Sequence, residues 1–451
     1  MSLLNAGDIL RTDLSGQTCV VKKLLGGGGQ GEVYLASLDG RAVAVKWYFS
    51  SWLAHDVHLL RRLTRAIEKG APSDRFLWPE QLVRKQGTDG FGYVMPLREE
   101  RFKGLVDLIM GRVSATGFVL STVGFELAQG FSSLHSAGMC YQDISFGNVF
   151  FDPTTGEVRI CDNDNVDFDG EDSAGVGGTP KFIAPEIVQG VAHPNIRTDQ
   201  HSLAVLLFYM FHFHHPLEGK RCMRIRDDST EKAQDLLYGS QALFIFDPDN
   251  TENAAVTNAI DPEGLSGHNA ILNWNVYPEY LKNRFTSAFT GGLHDPYNRV
   301  RETEWKTVLM ELRDGIYACS CGTEIFYDAE KVRASGGAPQ TCYQCGAKTI
   351  LPPRMGIQRG AYRSIVLMTP GRRLFPLHID SSRHSDLSTP VAEVIARPDQ
   401  PGVLGLKNLS ANVWSATLAD GAARTIEPNK IIPLSDDLRI QFNTAEARLK
   451  M

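Results

Sequence analysis

The sequence predicts an α+β chain in which a small strand-rich lobe leads into a larger helical lobe, then a short cysteine-bearing segment and a β-rich tail. Three observations carry that reading. Between Thr18 and Tyr48, short apolar-alternating runs surround a glycine cluster. After Asp107 the apolar residues take helical spacing, most strongly over Val119–His135. From about Arg354 the chain returns to short alternating runs separated by Asp-Gly, Pro-Asn and Asp-Asp turns. At 451 residues the chain is too long for one ordinary core, so two or three domains are expected.

The elements follow in order. Thr18–Leu25 and Glu32–Ser37 read as strands on either side of Gly-Gly-Gly-Gly-Gln-Gly, and Arg41–Tyr48 alternates as a third. A mainly polar helix is expected over 52–69, with Leu59, Leu60, Leu63 and Ile67 at helical spacing. Gly90–Leu97 reads as a further strand. In the helical lobe a hairpin is expected over Val149–Ile160, where turn residues separate two apolar runs. In the tail, Ser364–Met368 and Arg373–Ile379 are expected to pair about Thr-Pro-Gly. Strands at Val403–Leu406, Asn412–Leu418, Ala423–Ile426 and Leu438–Phe442 follow.

Composition excludes several classes. The chain is 43% hydrophobic and 22% charged with a net charge of −6, which gives no support for nucleic-acid binding through a basic surface. The apolar run Leu203–Phe213 falls short of the ~20 residues a spanning helix needs, and a histidine interrupts it, so a buried core helix is expected and no membrane span. The start lacks a basic region followed by an apolar one, so no signal peptide is read and a cytoplasmic location is expected. The eight cysteines are then expected to be thiols or metal ligands rather than disulfides.

Four segments carry chemistry. Gly26 to Val33 fits G-x-G-x-x-G-x-V between two strands, a hairpin whose backbone N–H groups can approach phosphates because no side chain intervenes. Val43-Ala44-Val45-Lys46 puts a cation on the next strand, within reach of phosphates under that loop. Tyr141-Gln142-Asp143-Ile144-Ser145-Phe146-Gly147-Asn148 spaces an acid and an amide five apart, and Ile160-Cys161-Asp162-Asn163-Asp164 follows.

The last two segments resemble the catalytic loop and metal-binding segment of eukaryotic-like protein kinases. Gly178–Glu186, ending in Ala-Pro-Glu, is similar to the end of a kinase activation segment. Asp199–Val205 resembles the start of the buried helix that anchors the catalytic loop. Asp295–Arg299 is similar to the late motif whose arginine pairs with that glutamate. The resemblance, six motifs in family order over 18–310, implies a bilobal protein-kinase fold over residues 1–315 and a serine/threonine protein kinase using ATP and Mg²⁺ on a protein substrate. By position, Lys46 holds the α- and β-phosphates, and Gly26, Gly28, Gly31, Val33, Ala44 and Met95 also contact the nucleotide. Asp143 orients the substrate hydroxyl and takes its proton, while Asn148 and Asp162 hold Mg²⁺.

The departures from the family pattern are specific. Gln142 replaces the arginine that receives an activation-loop phosphate, although Ser173 and Thr179 are hydroxyls of that segment. Ser145 replaces a lysine, and Asn163 and Asp164 replace Phe and Gly. The helix acid for Lys46 is expected to be Asp56, with Glu68 the alternative. His212, His214 and His215 invite a metal reading, but His215-Pro216-Leu217 stands where the family ends a helix. A nucleotide-binding pseudokinase scaffold is the alternative function.

Cys319-x-Cys321-Gly and Cys342-x-x-Cys345-Gly resemble the two knuckles of a zinc ribbon, expected over 316–352 with structural Zn²⁺; a redox dithiol is the competing reading. Cys19, Cys140, Cys161 and Cys222 are expected to be inert core thiols. The tail, 353–451, weakly resembles a forkhead-associated (FHA) β-sandwich, with Arg372, Ser410 and Asn412 as conceivable phosphate contacts and docking as the other use. The layout looks like that of bacterial kinases in tellurite-resistance-associated systems. That resemblance implies a signalling role with a von Willebrand A protein and a metal-dependent protein phosphatase as partners.

Overall fold

The computed structural model describes residues 3–170, 178–225, 227–261 and 266–451. Two compact units divide the chain. The first comprises Met1–Ala115, Thr122–Asn275 and Lys282–Trp305; the second comprises Thr116–Ser121, Val276–Leu281 and Lys306–Met451.

The first unit opens with β1 (Ile9–Thr12), β2 (Thr18–Gly27), β3 (Gly31–Leu38), β4 (Arg41–Tyr48), β5 (Gln81–Lys85) and β6 (Phe91–Pro96), closed in the order β1-β2-β3-β4-β6-β5. The three strands expected around the glycine cluster are present; β1 and β5, which close the barrel, carry patterns too short or too polar to be read. The two-residue period of β4 decides where its side chains go. Val43, Val45 and Trp47 pack with Leu10, Val21 and Tyr34, while Ala44 and Tyr48 pack with Leu59, Leu63, Tyr93 and Met95. Lys46 belongs to the second set, which is why it is 4% exposed.

The single helix expected over 52–69 is two: α1 (Ser50–His55) and α2 (Leu59–Lys69). Asp56 causes the break. Its buried carboxylate accepts the His58 backbone N–H at 3.2 Å and turns inward to Arg62, an alternative to helical bonding that short acidic side chains offer.

In the helical lobe, α3 (Leu105–Ile109) is followed by α4 (Gly117–Ser136), and the expected hairpin pairs Val149–Phe151 with Val158–Ile160. After α5 (Pro185–Val188), α6 (Ile196–His212) begins at Asn195, whose side chain accepts from Arg197 and Thr198 N–H. The apolar run is indeed a buried core helix: Phe208 packs its ring 5.2 Å from Phe285 and 5.8 Å from Phe244 and Phe289. No helix among the described residues is long and apolar enough to cross a membrane.

In the second unit, Ile316–Ala318 pairs with Glu324–Phe326, a short helix Ala329–Ala334 follows, and two sheets occupy the rest. One sheet has six strands in the order Tyr362–Leu367, Arg354–Arg359, Glu446–Lys450, Arg439–Gln441, Trp414–Thr417, Ala423–Ile426. The other has four: Arg373–Leu374, Ala392–Arg397, Gln400–Asn408, Ile431–Pro433. Met355, Ile357 and Trp414 of the first share a core with Val394, Leu406 and Ile432 of the second. The hairpin expected about Thr-Pro-Gly does not form. Tyr362–Leu367 pairs backward with Arg354–Arg359, Arg373–Leu374 joins the other sheet, and Pro376–Ile379 is a helical turn. Pro376 at the first turn of that helix explains the difference, since it has no N–H to give a ladder.

Candidate active site

Lys46 projects from β4 into the cleft beneath the β2–β3 turn. Its Nζ donates to Gln30 Oε1 at 2.6 Å, Asp164 Oδ2 at 2.8 Å and Asp162 Oδ1 at 3.4 Å. Burial alone would lower its pKa, but the charges of Asp164 and then Asp162 outweigh that and raise it above the ordinary lysine value. The glycines of the turn divide by role. A Cβ on Gly31 would lie 2.2 Å from the Trp47 carbonyl oxygen, so Gly31 is fixed by the closeness of β3 to β4. Gly26 and Gly28 have nothing within 4 Å of such a Cβ, although the Gly28 N–H already donates to the Gly31 carbonyl at 2.9 Å and Gly26 pairs with Val33 in the β2–β3 ladder. Val33 lies opposite Lys46 in the β3–β4 ladder, and Ala44 lies opposite Met95 in the β4–β6 ladder, both of the latter buried in the cleft roof.

The acid and amide of the catalytic-loop segment meet. Asp143 Oδ2 accepts from Asn148 Nδ2 at 3.0 Å and Asn165 Nδ2 at 3.4 Å, and its Oδ1 accepts the Thr179 hydroxyl at 2.6 Å. Burial raises the Asp143 pKa; the bonds from Thr179 and Asn148 offset part of that rise. The Asn148 amide nitrogen also donates to the Asp143 carbonyl at 2.8 Å, so the carboxamide oxygen is the atom that could hold a cation. The loop is anchored from α6: Asp199 accepts the backbone N–H of Gln142 at 2.9 Å and of Tyr141, and the His135 ring at 3.1 Å. Gln142 has φ 73°, a left-handed conformation that this double grip sustains.

Asp162 also sits in a left-handed conformation, φ 52° and ψ 45°, which turns its half-exposed carboxylate toward the cleft. The next residue cannot swing as a phenylalanine would. Asn163 is fully buried and donates to the carbonyls of Leu77 at 2.9 Å and Ile160 at 3.1 Å. Arg299 pairs with Glu186 through both Nη atoms at 2.8 and 2.7 Å. Thus two motifs far apart in sequence meet as the resemblance implied.

The helix acid is a correction. Asp56 gives both carboxylate oxygens to Arg62 and none to Lys46, and Glu68 is exposed on α2. Arg62 is i+6 from Asp56, across the helix break that the sequence pattern did not show. Gln30, Asp164, Asn165 and Thr179 were missed as site residues, although each lies inside or beside a motif whose residues were singled out. Ser173 lies outside the described residues. His212 and His215 are neutral core groups: burial pushes His215 down to about 4 and His212 to about 3. His215 bonds the Lys181 carbonyl at 2.8 Å and the Leu217 N–H at 3.0 Å.

A second cluster lies in the other unit. The four sulfurs of Cys319, Cys321, Cys342 and Cys345 lie within 4.8 Å of one another, with Cys319–Cys345 at 3.7 Å and Cys321–Cys342 at 3.8 Å. A tetrahedral ion bound at about 2.3 Å separates its sulfurs by about 3.8 Å, so the donor set fits zinc. Disulfide sulfurs would stand about 2.05 Å apart. Cys321 is held down to about 6, chiefly by hydrogen bonds from Thr323. By contrast, burial pushes Cys19 up to about 11 and Cys222 to about 12, as inert thiols require. Arg372 is a further correction. It is buried and donates to the carbonyls of Arg313 at 2.9 Å and Ile316 at 2.5 Å, so it is not free to read a phosphate.

The protein kinase domain family matches residues 94–269. That stretch of the chain is similar to a protein kinase domain. Protein kinase C delta type of Mus musculus is 29% identical over 252 residues, 51% of this chain and 35% of that protein. The serine/threonine-protein kinase pkn2 of Myxococcus xanthus is 28% identical over 212 residues, 44% of this chain and 25% of that protein. A probable serine/threonine-protein kinase of Zea mays, CCRP1, is 31% identical over 119 residues, 26% and 19% of the two chains. The chain spans about a third or less of the length of these relatives. A protein kinase domain of this kind implies ATP and Mg²⁺.

Proposed function

We propose that the chain transfers the γ-phosphoryl group of Mg·ATP to serine or threonine hydroxyls of a protein substrate. The observation that carries this reading is the convergence of Asp143, Asn148, Asp162 and Lys46 on one cleft beside the β2–β3 glycine turn, where no side chain stands at Gly26 or Gly28. Mg²⁺ would supply charge neutralisation on the β- and γ-phosphates, with Asn148 and Asp162 as its protein ligands. Lys46 would hold the α- and β-phosphates, and Val33, Ala44, Met95 and Gly31 would frame the nucleotide. Asp143 would orient the attacking hydroxyl and accept its proton, a role that its raised pKa suits. With Gln142 in place of an arginine, that position supplies no cation for an activation-loop phosphate.

The remaining assignments rest on resemblance joined to geometry. We propose a kinase domain over 1–315, a structural zinc ribbon over 316–352 and an FHA-like β-sandwich over 353–451. The sulfur spacing supports zinc, and the shared core of the two sheets supports the sandwich. The burial of Arg372 favours protein docking over phosphopeptide reading there. Bacterial signalling in the cytoplasm, with a von Willebrand A protein and a metal-dependent phosphatase as partners, is the setting that the layout suggests.

Transfer of label from [γ-³²P]ATP to those partner proteins tests the reaction. Label that requires Mg²⁺ and disappears in Asp162→Ala supports it. Tight nucleotide binding with no transfer under any condition would instead make the chain a nucleotide-binding scaffold.

A further inference from the structure

We infer that Asp164 is the residue that positions Lys46 for the nucleotide, a task that no acid of α2 performs; this rests on the kinase reading above. The two acids beside Lys46 are not equivalent. Asp162 has a side chain 38% exposed at the open side of the cleft, where a divalent ion and phosphates would claim it. The Asp164 side chain is 1% exposed, 2.8 Å from Nζ, and takes a second bond from the Tyr48 hydroxyl at 2.5 Å on the same oxygen. With Asp162 engaged elsewhere, Asp164 is the acid that stays with the lysine.

The segment holding Asp164 is pinned independently. Asn163 next to it bonds two backbone carbonyls, of Leu77 and Ile160. The helix reaches this turn by a different route. Arg62 of α2 spends both Nη atoms on Asp56, and its Nε donates to the Asp164 backbone carbonyl at 3.4 Å. So α2 braces the turn through an arginine, while the counter-charge of Lys46 stands two residues from the metal-binding carboxylate. The lysine and the metal site are therefore set by one segment, and a shift of α2 would loosen the Arg62 brace without unpairing Lys46.

Two double-mutant cycles on the full chain test this. In the first, melting temperatures of Asp164→Asn, Lys46→Met and the double variant are expected to be strongly non-additive, whereas Asp56→Asn with Lys46→Met is additive. In the second, kcat/KM for Mg·ATP is expected to fall about 10-fold or more in Asp164→Asn, with no further fall when Asp164→Asn is added to Lys46→Met. Glu68→Gln should match wild type in both. Should Asp164→Asn fail to fold, Tyr48→Phe removes one bond to the same carboxylate and is expected to give a smaller loss, again absent in the Lys46→Met background. Additive losses for Asp164, or coupling of Lys46 to Asp56 instead, overturn the inference while leaving the kinase reading intact. A wild-type chain without transfer sinks that reading, and the melting cycle still decides the pairing.

Discussion

Asp143 is held by three side-chain donors, and the tightest is the Thr179 hydroxyl at 2.6 Å. That arrangement fixes the carboxylate before any substrate arrives, so little reorganisation remains when a hydroxyl approaches. Asp143→Asn keeps the shape and removes the base. It is expected to lower kcat about 10²–10⁴-fold while Mg·ATP affinity, measured by calorimetry, stays near that of wild type. Equal losses in kcat and affinity would mean that Asp143 acts on the nucleotide rather than on the hydroxyl. Lys46, Asp143, Asn148 and Asp162 were legible because each sits in a linear motif whose spacing reflects one loop. Gln30 and Asp164 were visible only as letters inside those motifs. Their shared partner, Lys46, lies 16 and 118 residues away, and spacing carries no signal about which of two neighbouring acids turns inward.

Elements meet around His135, at the end of α4, which bonds Asp199 of α6 at 3.1 Å and Glu302 at 2.8 Å. Burial alone would lower its pKa, but the hydrogen bonds and charges of Asp199 and Glu302 raise it from the ordinary 6.5 to about 9. The folded state therefore holds this proton more tightly than the unfolded chain. Its contribution to stability is full below about pH 6.5 and is lost as pH rises through about 9. Each tenfold in proton affinity is worth about 1.4 kcal/mol, so the pair contributes on the order of 3 kcal/mol at most. His135→Gln should thus be clearly less stable than wild type at pH 6, with the gap in melting temperature closing toward pH 9.5. A gap independent of pH would show that His135 acts by packing alone. None of this was legible in the sequence, because the three residues come from separate elements. The helix break at Asp56 was hidden for a related reason: an apolar period of 3.6 runs on through Leu59 and Leu63 whether or not a buried acid interrupts the backbone.

At the scale of the whole chain, the two-unit division follows from where apolar surface is shared. The cysteine segment has a small core of Tyr317, Cys319, Ile325, Tyr327, Val332 and Cys342, and that core includes Leu367, with Ile365 packed against it. Both of these last residues belong to the six-stranded sheet through Tyr362–Leu367. The tail's alternating strands were legible where turns bracket them. Arg354–Arg359 and Glu446–Lys450 were not, since their outward faces are polar and their pairing joins opposite ends of the tail. The segment has few apolar residues with which to fold alone. If the four sulfurs hold zinc as proposed, metal binding and local folding are one event, with apparent binding energies of roughly 10 kcal/mol or more in comparable peptides. Cys342→Ser removes a buried ligand and should lower zinc content from one ion per chain, measured by elemental analysis. Because Leu367 and Ile365 share that core, amide exchange should quicken beyond the cysteine segment, through 354–367, while Mg·ATP affinity changes little. Unchanged exchange in 354–367 would show that the sheet stands without the metal, and a metal-free wild-type chain with a Cys319–Cys345 disulfide would remove the zinc premise altogether.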